Sequence, residues 1–243
     1  MHAIRFQDAG EGNGKQCIDG TPWDLYNQYG IAENHCMGMK DMRAEQVMEF
    51  KDRQAWRAWL QEHFQRADEA WLVFALKGAE DEQIGYQDAV EEALCFGWID
   101  GQTLKQDAMH LLRRFTPRRK GSRYSRTNIE RLLRLREQGM LEPGVLEATR
   151  EMLDAPFVFP NDILQAIRSD PAAWEHFCMF PESYRRIRIA HIESARKNPA
   201  EFEKRLSRFI EKTRENRRIA GDAGIRWENA SAEEKGETSV RNI

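Results

Sequence analysis

The first regular hydrophobic pattern in the chain predicts a small sheet with helices. Apolar side chains recur every three or four residues in 53–64 and again in 84–96, as they do on one face of an amphipathic helix. The continuous apolar run 71–76 lies between these segments and indicates a buried strand. Residues 98–103 and 109–116 flank a short polar stretch and are expected to pair as a hairpin. This order favours a small sheet over a doubly wound one.

After Pro117 the apolar spacing becomes helical and remains so almost to the end of the chain. Each expected helix starts at a side-chain cap or at a residue suited to the first helical turn. These starts are Ser125 or Thr127, Pro143, Asn161, Asp170, Glu182 and Asn198. Earlier in the chain, Gly97 is the expected left-handed stop of helix 84–96. The predicted fold class is α+β, mostly helical, with a small strand–helix–hairpin sheet followed by a helical C-terminal half.

The two ends of the chain lack regular apolar spacing. We expect residues 1–45 to form a flexible N-terminal extension and residues 219–243 to form a polar tail. Between them, a single domain is expected over 46–218, with a sheet-containing part at 50–120 and a helical part at 121–218. Three methionines near the end of the extension are candidate true starts of the protein: Met37, Met39 and Met42.

Charge is segregated along the chain although the total is nearly balanced. The 243 residues carry a formal net charge of -3 at pH 7. Seven acids and no lysine or arginine lie between Glu80 and Asp100, whereas ten lysines and arginines lie between Arg113 and Arg136, with Glu130 as the only acid. Such segregation creates a local field in a protein that is not basic overall.

Residue patterns that would identify a metal site, a cofactor or a familiar catalytic mechanism are missing from the sequence. The six histidines are scattered, and the four cysteines lie far apart without a CxxC pair. We therefore predict no catalytic residues, no metal and no cofactor. The cysteine spacing and the lack of an apolar N-terminal segment favour a reduced, cytoplasmic location. No run approaches the roughly 18 apolar residues that span a bilayer, so membrane insertion is not expected.

Asp100 is the first candidate for function, because it lies on an expected strand beside a large aromatic residue. On a strand it shares a face with Trp98, and an acid in a partly buried sheet needs a partner. The structural interpretation is an ion pair with Arg113, Arg114 or Arg118. The functional interpretation is an acid that accepts a hydrogen bond from a ligand or carries a proton for it. The sequence leaves both interpretations open.

The basic segment after the hairpin is the second candidate, since it combines guanidinium groups, hydroxyls, an aromatic ring and a helix start. Those are the components of a site for phosphate, sulfate or carboxylate. The same arginines could instead form a solvated face, pair with the acidic helix at 88–92, or bind nucleic acid through residues 113–136. The basic helices near the C-terminus interleave with glutamates, which is typical of solvated helices with i,i+4 ion pairs.

Four motifs, in this order, resemble the YdeI/OmpD-associated family of bacteria, also called bacteriocin-protection proteins. They are Trp56-Arg57-Ala58-Trp59-Leu60, Trp71-Leu72-Val73-Phe74, Glu92-Ala93-Leu94-Cys95-Phe96-Gly97-Trp98-Ile99-Asp100-Gly101, and Arg114-Phe115-Thr116-Pro117-Arg118 with Ser122, Ser125 and Asn128. The resemblance covers residues 50–218 and departs from the family pattern at 198–202. It implies a role in tolerance of antimicrobial peptides and envelope stress, and it supplies no catalytic residues.

We therefore expect a cytoplasmic stress-tolerance protein that binds an anionic small molecule or a protein partner without catalysis. The expected binding site consists of Trp98, Asp100, Arg114, Thr116, Arg118, Ser122, Tyr124, Ser125 and Asn128. One alternative is a nucleic-acid-binding protein that uses the basic segment 113–136. The other alternative is an enzyme in which Asp100 acts as an acid or base.

Overall fold

The computed structural model describes residues 47–76 and 83–219 of the chain. Helices take up 54% and strands 14% of these residues, which confirms the predicted α+β class with helices in the majority. The chain divides into two units, Met1–Lys120 and Gly121–Ile243. The predicted N-terminal extension, the three candidate start methionines and, apart from Ile219, the predicted polar tail lie outside the described residues. The expectation of one domain over 46–218 stays a prediction.

The described residues of the first unit contain two helices and a sheet. The elements are β1 (Val47–Met48), α1 (Arg53–His63), β2 (Ala70–Ala75), α2 (Tyr86–Cys95), β3 (Trp98–Lys105) and β4 (His110–Pro117). The buried strand, the helix after it and the hairpin are therefore found where the apolar spacing predicts them. The short strand β1 was not predicted, because two residues are too few to show an alternating pattern.

The sheet of the first unit is mixed, with the strand order β1-β2-β4-β3. Strand β1 runs parallel to β2, whereas β2 and β3 both pair antiparallel with β4. Asp100 lies opposite Phe115, and Thr103 lies opposite Arg113, so the register shifts between these two pairs. This irregularity bends the hairpin locally. Paired residues point to the same side, so Asp100 lies on the face of β4 that carries Arg113 and Phe115.

Gly97 ends helix α2 and connects it to the hairpin. Its φ angle is 73°, in the left-handed region that a residue with a Cβ rarely adopts. The carbonyl oxygen of Gly97 accepts a hydrogen bond from the backbone N–H of Arg118 at 2.9 Å. The predicted helix stop is present, and it also fixes the far end of β4.

Aromatic side chains form the contact between the sheet and the helices of the first unit. Trp56 of α1 is fully buried, and its ring lies 5.7 Å from that of Phe115 on β4. The indole N–H of Trp56 donates a hydrogen bond to the carbonyl oxygen of Ala89 in α2 at 3.1 Å. Burying a side chain of this size contributes about 2–3 kcal/mol to folding. This one residue therefore holds α1 against both β4 and α2.

The described residues of the second unit form six helices. They are α3 (Arg126–Glu137), α4 (Pro143–Asp154), α5 (Asn161–Arg168), α6 (Pro171–Met179), α7 (Glu182–Glu193) and α8 (Pro199–Arg214). Ser125, Asp170 and Asn198 each accept a backbone hydrogen bond from the first turn of the helix that follows. Side-chain capping of this kind satisfies one of the donors left over at a helix start, and it explains why these boundaries are readable in the sequence.

The core of the second unit combines apolar packing with one buried ion pair. The apolar cluster includes Ile163, Ile167, Phe177, Tyr184, Ile192 and Phe209. Beside it, the buried carboxylate of Glu130 on α3 accepts hydrogen bonds from Arg186 on α7, with distances of 2.8 and 2.7 Å to its two oxygens. Arg126 also donates to Glu130, at 2.6 Å. The arginines compensate the cost of burying this acid and join α3 to α7.

Within residues 47–76 and 83–219, none of the helices has both the length and the apolar character needed to cross a membrane.

Candidate functional site

Asp100 is paired within the first unit. Its Oδ2 atom accepts a hydrogen bond from the Tyr86 hydroxyl at 2.7 Å and another from Nη1 of Arg113 at 2.9 Å. The Arg113 guanidinium also stacks over the Tyr86 ring, 4.4 Å from its centroid. Arg113 is thus the partner, out of the three expected arginines, that the structure places against Asp100.

Arg114 does not face Asp100, because neighbouring residues of a strand point to opposite sides of the sheet. Its Nε donates a hydrogen bond to Glu69 at 2.6 Å. Trp98 is a core residue with 1% of its surface exposed, and its indole N–H donates to the carbonyl oxygen of Phe64 at 3.2 Å. The first unit therefore does not gather Trp98, Asp100 and Arg114 around one site.

The remaining predicted site residues are divided between the two units. Thr116 pairs with Ile99 in the hairpin, and Arg118 bonds to Gly97 through its backbone. Ser122, Tyr124, Ser125 and Asn128 belong to the second unit. There the Ser125 hydroxyl caps α3 by accepting from the Asn128 N–H at 3.2 Å, and the Asn128 side-chain oxygen accepts from Arg131 at 2.7 Å. Ser125 and Asn128 thus have local structural roles, and a ligand-binding role for the set stays a prediction.

The acidic face of α2 pairs with α1. Arg53 contacts Asp88 at 3.2 Å and Glu91 at 3.0 Å, and it also donates to Glu92. Arg57 donates to Glu92 at 2.6 Å. Arg53 and Arg57 precede the run of ten cations in the sequence, so the charge segregation alone did not indicate this pairing.

Several arginines of the basic segment 113–136 form ion pairs with carboxylates. Besides Arg113 with Asp100 and Arg114 with Glu69, Arg126 pairs with Glu130 and Arg136 pairs with Asp154. Such pairs reduce the positive charge available to an external phosphate backbone.

The Cys95 thiol shares the interface between α1 and α2. Burial, reinforced by the charge of Glu92, raises the pKa of this thiol to about 11. Cys95 is therefore protonated at neutral pH and unsuited to nucleophilic attack. In the described ranges, no three His, Cys, Asp or Glu side chains cluster as metal ligands would.

A cavity of about 250 Å³ lies between helices α7 and α8 of the second unit. Its lining is rich in positive charge, with four cations, one histidine and one carboxylate among apolar side chains. The lining residues are Arg188, His191, Ile192, Glu201, Lys204, Arg205, Arg208, Phe209 and Ile219. This cavity combines a concave shape with several anion-binding groups, and we treat it as the candidate functional site.

Helical spacing brings the cationic side chains to the cavity. Arg188 and His191 lie one turn apart on α7, and Lys204 and Arg208 lie one turn apart on α8. Nη2 of Arg188 donates to the carbonyl oxygen of Ile219 at 2.5 Å, and the N–H of Ile219 donates to the Tyr184 hydroxyl at 2.9 Å. These two bonds hold the residues after α8 against α7 and complete one wall.

Arg205 connects the two helices at the edge of the cavity. Its Nε donates to Glu201 at 2.8 Å, and its Nη1 donates to the carbonyl oxygen of His191 at 2.9 Å and to the Ser194 hydroxyl at 3.1 Å. The hydrogen bond from Arg205 lowers the pKa of Glu201, so this carboxylate is ionised at neutral pH. Glu201 therefore cancels part of the positive charge, but the cations of the lining outnumber it.

Among the described residues, few acids compensate the charges of Lys204 and Arg208. The Lys204 side chain is 76% exposed, and its ammonium lies 3.9 Å from Glu201, too far for a hydrogen bond. Arg208 is exposed and makes no ion pair within the described part of the chain. These two side chains are the ones best placed to contact an incoming anion.

Sequence reasoning missed this cavity because it interpreted the basic C-terminal helices as solvated. The i,i+4 pairs expected of a solvated helix do occur, for example between Arg205 and Glu201. A stronger signal was the excess of cations on α8. Three of its cations face the cavity, Lys204, Arg205 and Arg208, but only one of its acids does, Glu201. The short connection between α7 and α8 makes the two helices neighbours, so their cations combine.

The fold and the cavity define a helical module with a cationic pocket, preceded by a small α+β unit. Residues 156–216 match the model of the family described as bacteriocin-protection, YdeI or OmpD-associated. The predicted resemblance to that family is therefore confirmed, and residues 156–216 carry the match. Residues 48–148 match a second model, a domain of unknown function (DUF8412). No curated protein and no solved structure matches the chain.

The limits of the two family matches differ from those of the two structural units. The first match extends past Lys120 into helix α4, so all of α3 and the first half of α4 lie within it. All four motifs that carried the resemblance in the sequence, between residues 56 and 128, fall in this first match. The cationic cavity, apart from Ile219, lies in the segment matched by the bacteriocin-protection family.

Proposed function

We propose that this protein binds an anionic small molecule, or the anionic group of a partner, in the cavity between α7 and α8. The observation that carries the proposal is the excess of cations around a concave site, where acids of the described residues compensate Lys204 and Arg208 only a little. The proposed ligand is still an anion, as the sequence predicted. The proposed site lies between the C-terminal helices α7 and α8 and not in the hairpin region.

The chemistry of the lining suits phosphate, sulfate or carboxylate groups. Arginine presents several N–H donors in a fixed plane, and lysine adds a mobile point charge. The cavity volume of about 250 Å³ is smaller than that of most drug-sized ligand sites. It therefore fits one small anion or the charged head of a larger molecule.

The family context supports a biological role in tolerance of bacteriocins and other antimicrobial peptides. The residues that line the cavity lie mainly in the matched segment 156–216, so the proposed binding activity and the family name refer to the same part of the chain. We propose that the protein binds its ligand without catalysing a reaction and that it works in the cytoplasm. The ion pairs formed by Arg113, Arg114, Arg126 and Arg136 favour this proposal over nucleic-acid binding.

Isothermal titration calorimetry with sodium pyrophosphate tests the binding proposal. The Lys204→Gln/Arg208→Gln double variant should bind pyrophosphate at least about tenfold more weakly than the unaltered protein, because two charge-assisted contacts are lost. The matched control is Lys197→Gln/Arg123→Gln, which removes the same two charges from exposed positions outside the cavity lining. Equal weakening in both double variants would show a general charge effect and would refute a specific site.

A survival assay tests the biological part of the proposal. Bacterial cells that lack the protein are supplied with the unaltered chain, with the double variant or with its control, and are exposed to a bacteriocin. The unaltered chain and the control should restore survival, and the Lys204→Gln/Arg208→Gln chain should not. Full rescue by a double variant that no longer binds pyrophosphate would separate the tolerance role from the cavity.

A further inference from the structure

His191 is an exposed residue in the wall of the cavity, and the lining includes charged side chains from both helices that form it. Arg188 precedes it by one turn on α7, and Lys204, Arg205 and Arg208 face the same cavity from α8 together with Glu201. The carbonyl oxygen of His191 is held by Arg205 at 2.9 Å, so the position of this residue relative to α8 is fixed. His191 is the only group among the described lining residues that can change its charge near neutral pH.

We propose that the cavity takes up its anion together with a proton on His191, so that anion affinity rises as the pH falls. The inference rests on the proposed function, because it concerns the regulation of the same site. It assigns His191 the role of a ligand-contacting residue whose charge depends on the anion.

The surroundings of His191 within the protein disfavour its imidazolium form. Burial, followed by the charges of Arg205 and Arg188, lowers the pKa of His191 below its ordinary value of 6.5, and the opposing effect of Glu201 is smaller. A bound anion adds negative charge to the same space and therefore favours the imidazolium form. By linkage, a ligand that raises the pKa of His191 must bind more tightly when His191 is protonated.

Hydrogen bonding acts in the same direction. A neutral imidazole has one N–H donor and one acceptor nitrogen, and the acceptor nitrogen repels an oxyanion. The imidazolium form has two donors and no acceptor, so it can donate to an oxyanion beside Arg205 and Arg208 whichever nitrogen faces the cavity. Protonation of His191 thus removes a nitrogen that repels an oxyanion and supplies a second N–H donor for it.

Sulfate is the probe for this inference, because it does not change its charge between weakly acidic and weakly basic pH. Calorimetric titrations at about pH 5.5 and about pH 8 should give affinities that differ by about threefold to tenfold, the range expected for one partly exposed charge. Repeating the acidic titration in buffers of different ionisation enthalpy should show net proton uptake by the protein on binding.

Three variants assign the effect to His191. The His191→Gln protein should bind sulfate with nearly the same affinity at both pH values and without proton uptake. The His191→Lys protein, with a permanent charge, should bind at least as tightly at about pH 8 as the unaltered protein does at about pH 5.5. The His110→Gln control removes a histidine of the first unit that contacts Asp107, and it should keep the full pH dependence. Thermal unfolding verifies that each variant is folded.

The outcomes separate this inference from the proposed function. Sulfate binding that is equally tight at both pH values, with no proton uptake, would overturn the proton linkage and leave anion binding intact. A pH dependence that persists in folded His191→Gln would also overturn it. Absence of both sulfate and pyrophosphate binding at either pH would refute the proposed function and the linkage together.

Discussion

The guanidinium of Arg205 bonds to the backbone carbonyl of His191 at 2.9 Å, and this contact ties helix α8 to the C-terminal turn of α7. The same side chain holds Glu201 and the Ser194 hydroxyl. A cation near the end of a helix also satisfies carbonyl groups that have no partner within the helix. Arg205 therefore organises the cavity and contributes to its charge.

Replacing Arg205 with glutamine should weaken both the second unit and its anion binding. The loss of three hydrogen bonds at a partly exposed position should lower the free energy of unfolding by about 1 kcal/mol. The Arg205→Lys variant keeps the charge but cannot bridge three acceptors in one plane, so it should recover binding more than stability. Urea unfolding and pyrophosphate calorimetry on the two variants measure the two effects. Equal recovery of stability and binding in Arg205→Lys would contradict a bridging role.

Removing the carboxylate of Glu130 should destabilise the second unit strongly. The Glu130→Gln variant leaves Arg126 and Arg186 without their buried acid, and breaking a buried ion pair on one side costs about 3 kcal/mol. The control is Glu182→Gln, which removes an exposed partner from the same Arg186 and should cost less than about 0.5 kcal/mol. Urea unfolding of both variants checks the difference. A loss of stability in Glu130→Gln no larger than in the control would show that the buried pair adds nothing.

The Asp100→Asn variant should alter stability and leave anion binding unchanged. Asp100 accepts from both Tyr86 and Arg113, so its replacement should cost about 1–2 kcal/mol. A double-mutant cycle with Arg113→Gln should show a coupling energy of about 1 kcal/mol, because the two side chains are in direct contact. Pyrophosphate affinity should stay within a factor of about two. Loss of pyrophosphate binding in a folded Asp100→Asn protein would instead return the functional site to the hairpin.

The lowered pKa of His191 predicts how stability depends on pH when no anion is present. The unfolded chain binds a proton at His191 more readily than the folded chain does, so stability rises with pH through this range. The contribution is fully present above the unfolded pKa of 6.5 and is lost as the pH falls below it. Because the side chain is partly exposed, we expect a change of only about 0.5 kcal/mol. Urea unfolding of the unaltered protein and His191→Gln, in a buffer of low anion affinity, should show this slope only in the former.

The sequence predicted the elements of the first unit well because local rules decide them. Continuous apolar residues form β2, Gly97 ends α2 at a positive φ, and the polar stretch before His110 separates the hairpin strands. Helix starts such as Ser125, Asp170 and Asn198 were readable for the same reason, since a capping side chain acts within three residues.

The location of the candidate site could not be predicted with the same rules, because it depends on contacts between residues far apart in sequence. Arg53 pairs with acids of α2 that lie 35 to 39 residues further along the chain. Arg186 pairs with Glu130, which lies 56 residues earlier in the sequence. The cations of α7 and α8 line one cavity only because these two helices pack against each other.

The most direct test of anion binding in this cavity is an NMR titration that follows the imidazole resonances of His191. Added sulfate should shift these resonances in a saturable way and raise the pKa of His191. The control is His176, which bonds to the carbonyl oxygen of Thr213, and its resonances should not shift. In the Lys204→Gln/Arg208→Gln variant the same titration should give little or no shift. Resonances of His191 that remain unchanged at saturating sulfate in the unaltered protein would contradict anion binding between α7 and α8.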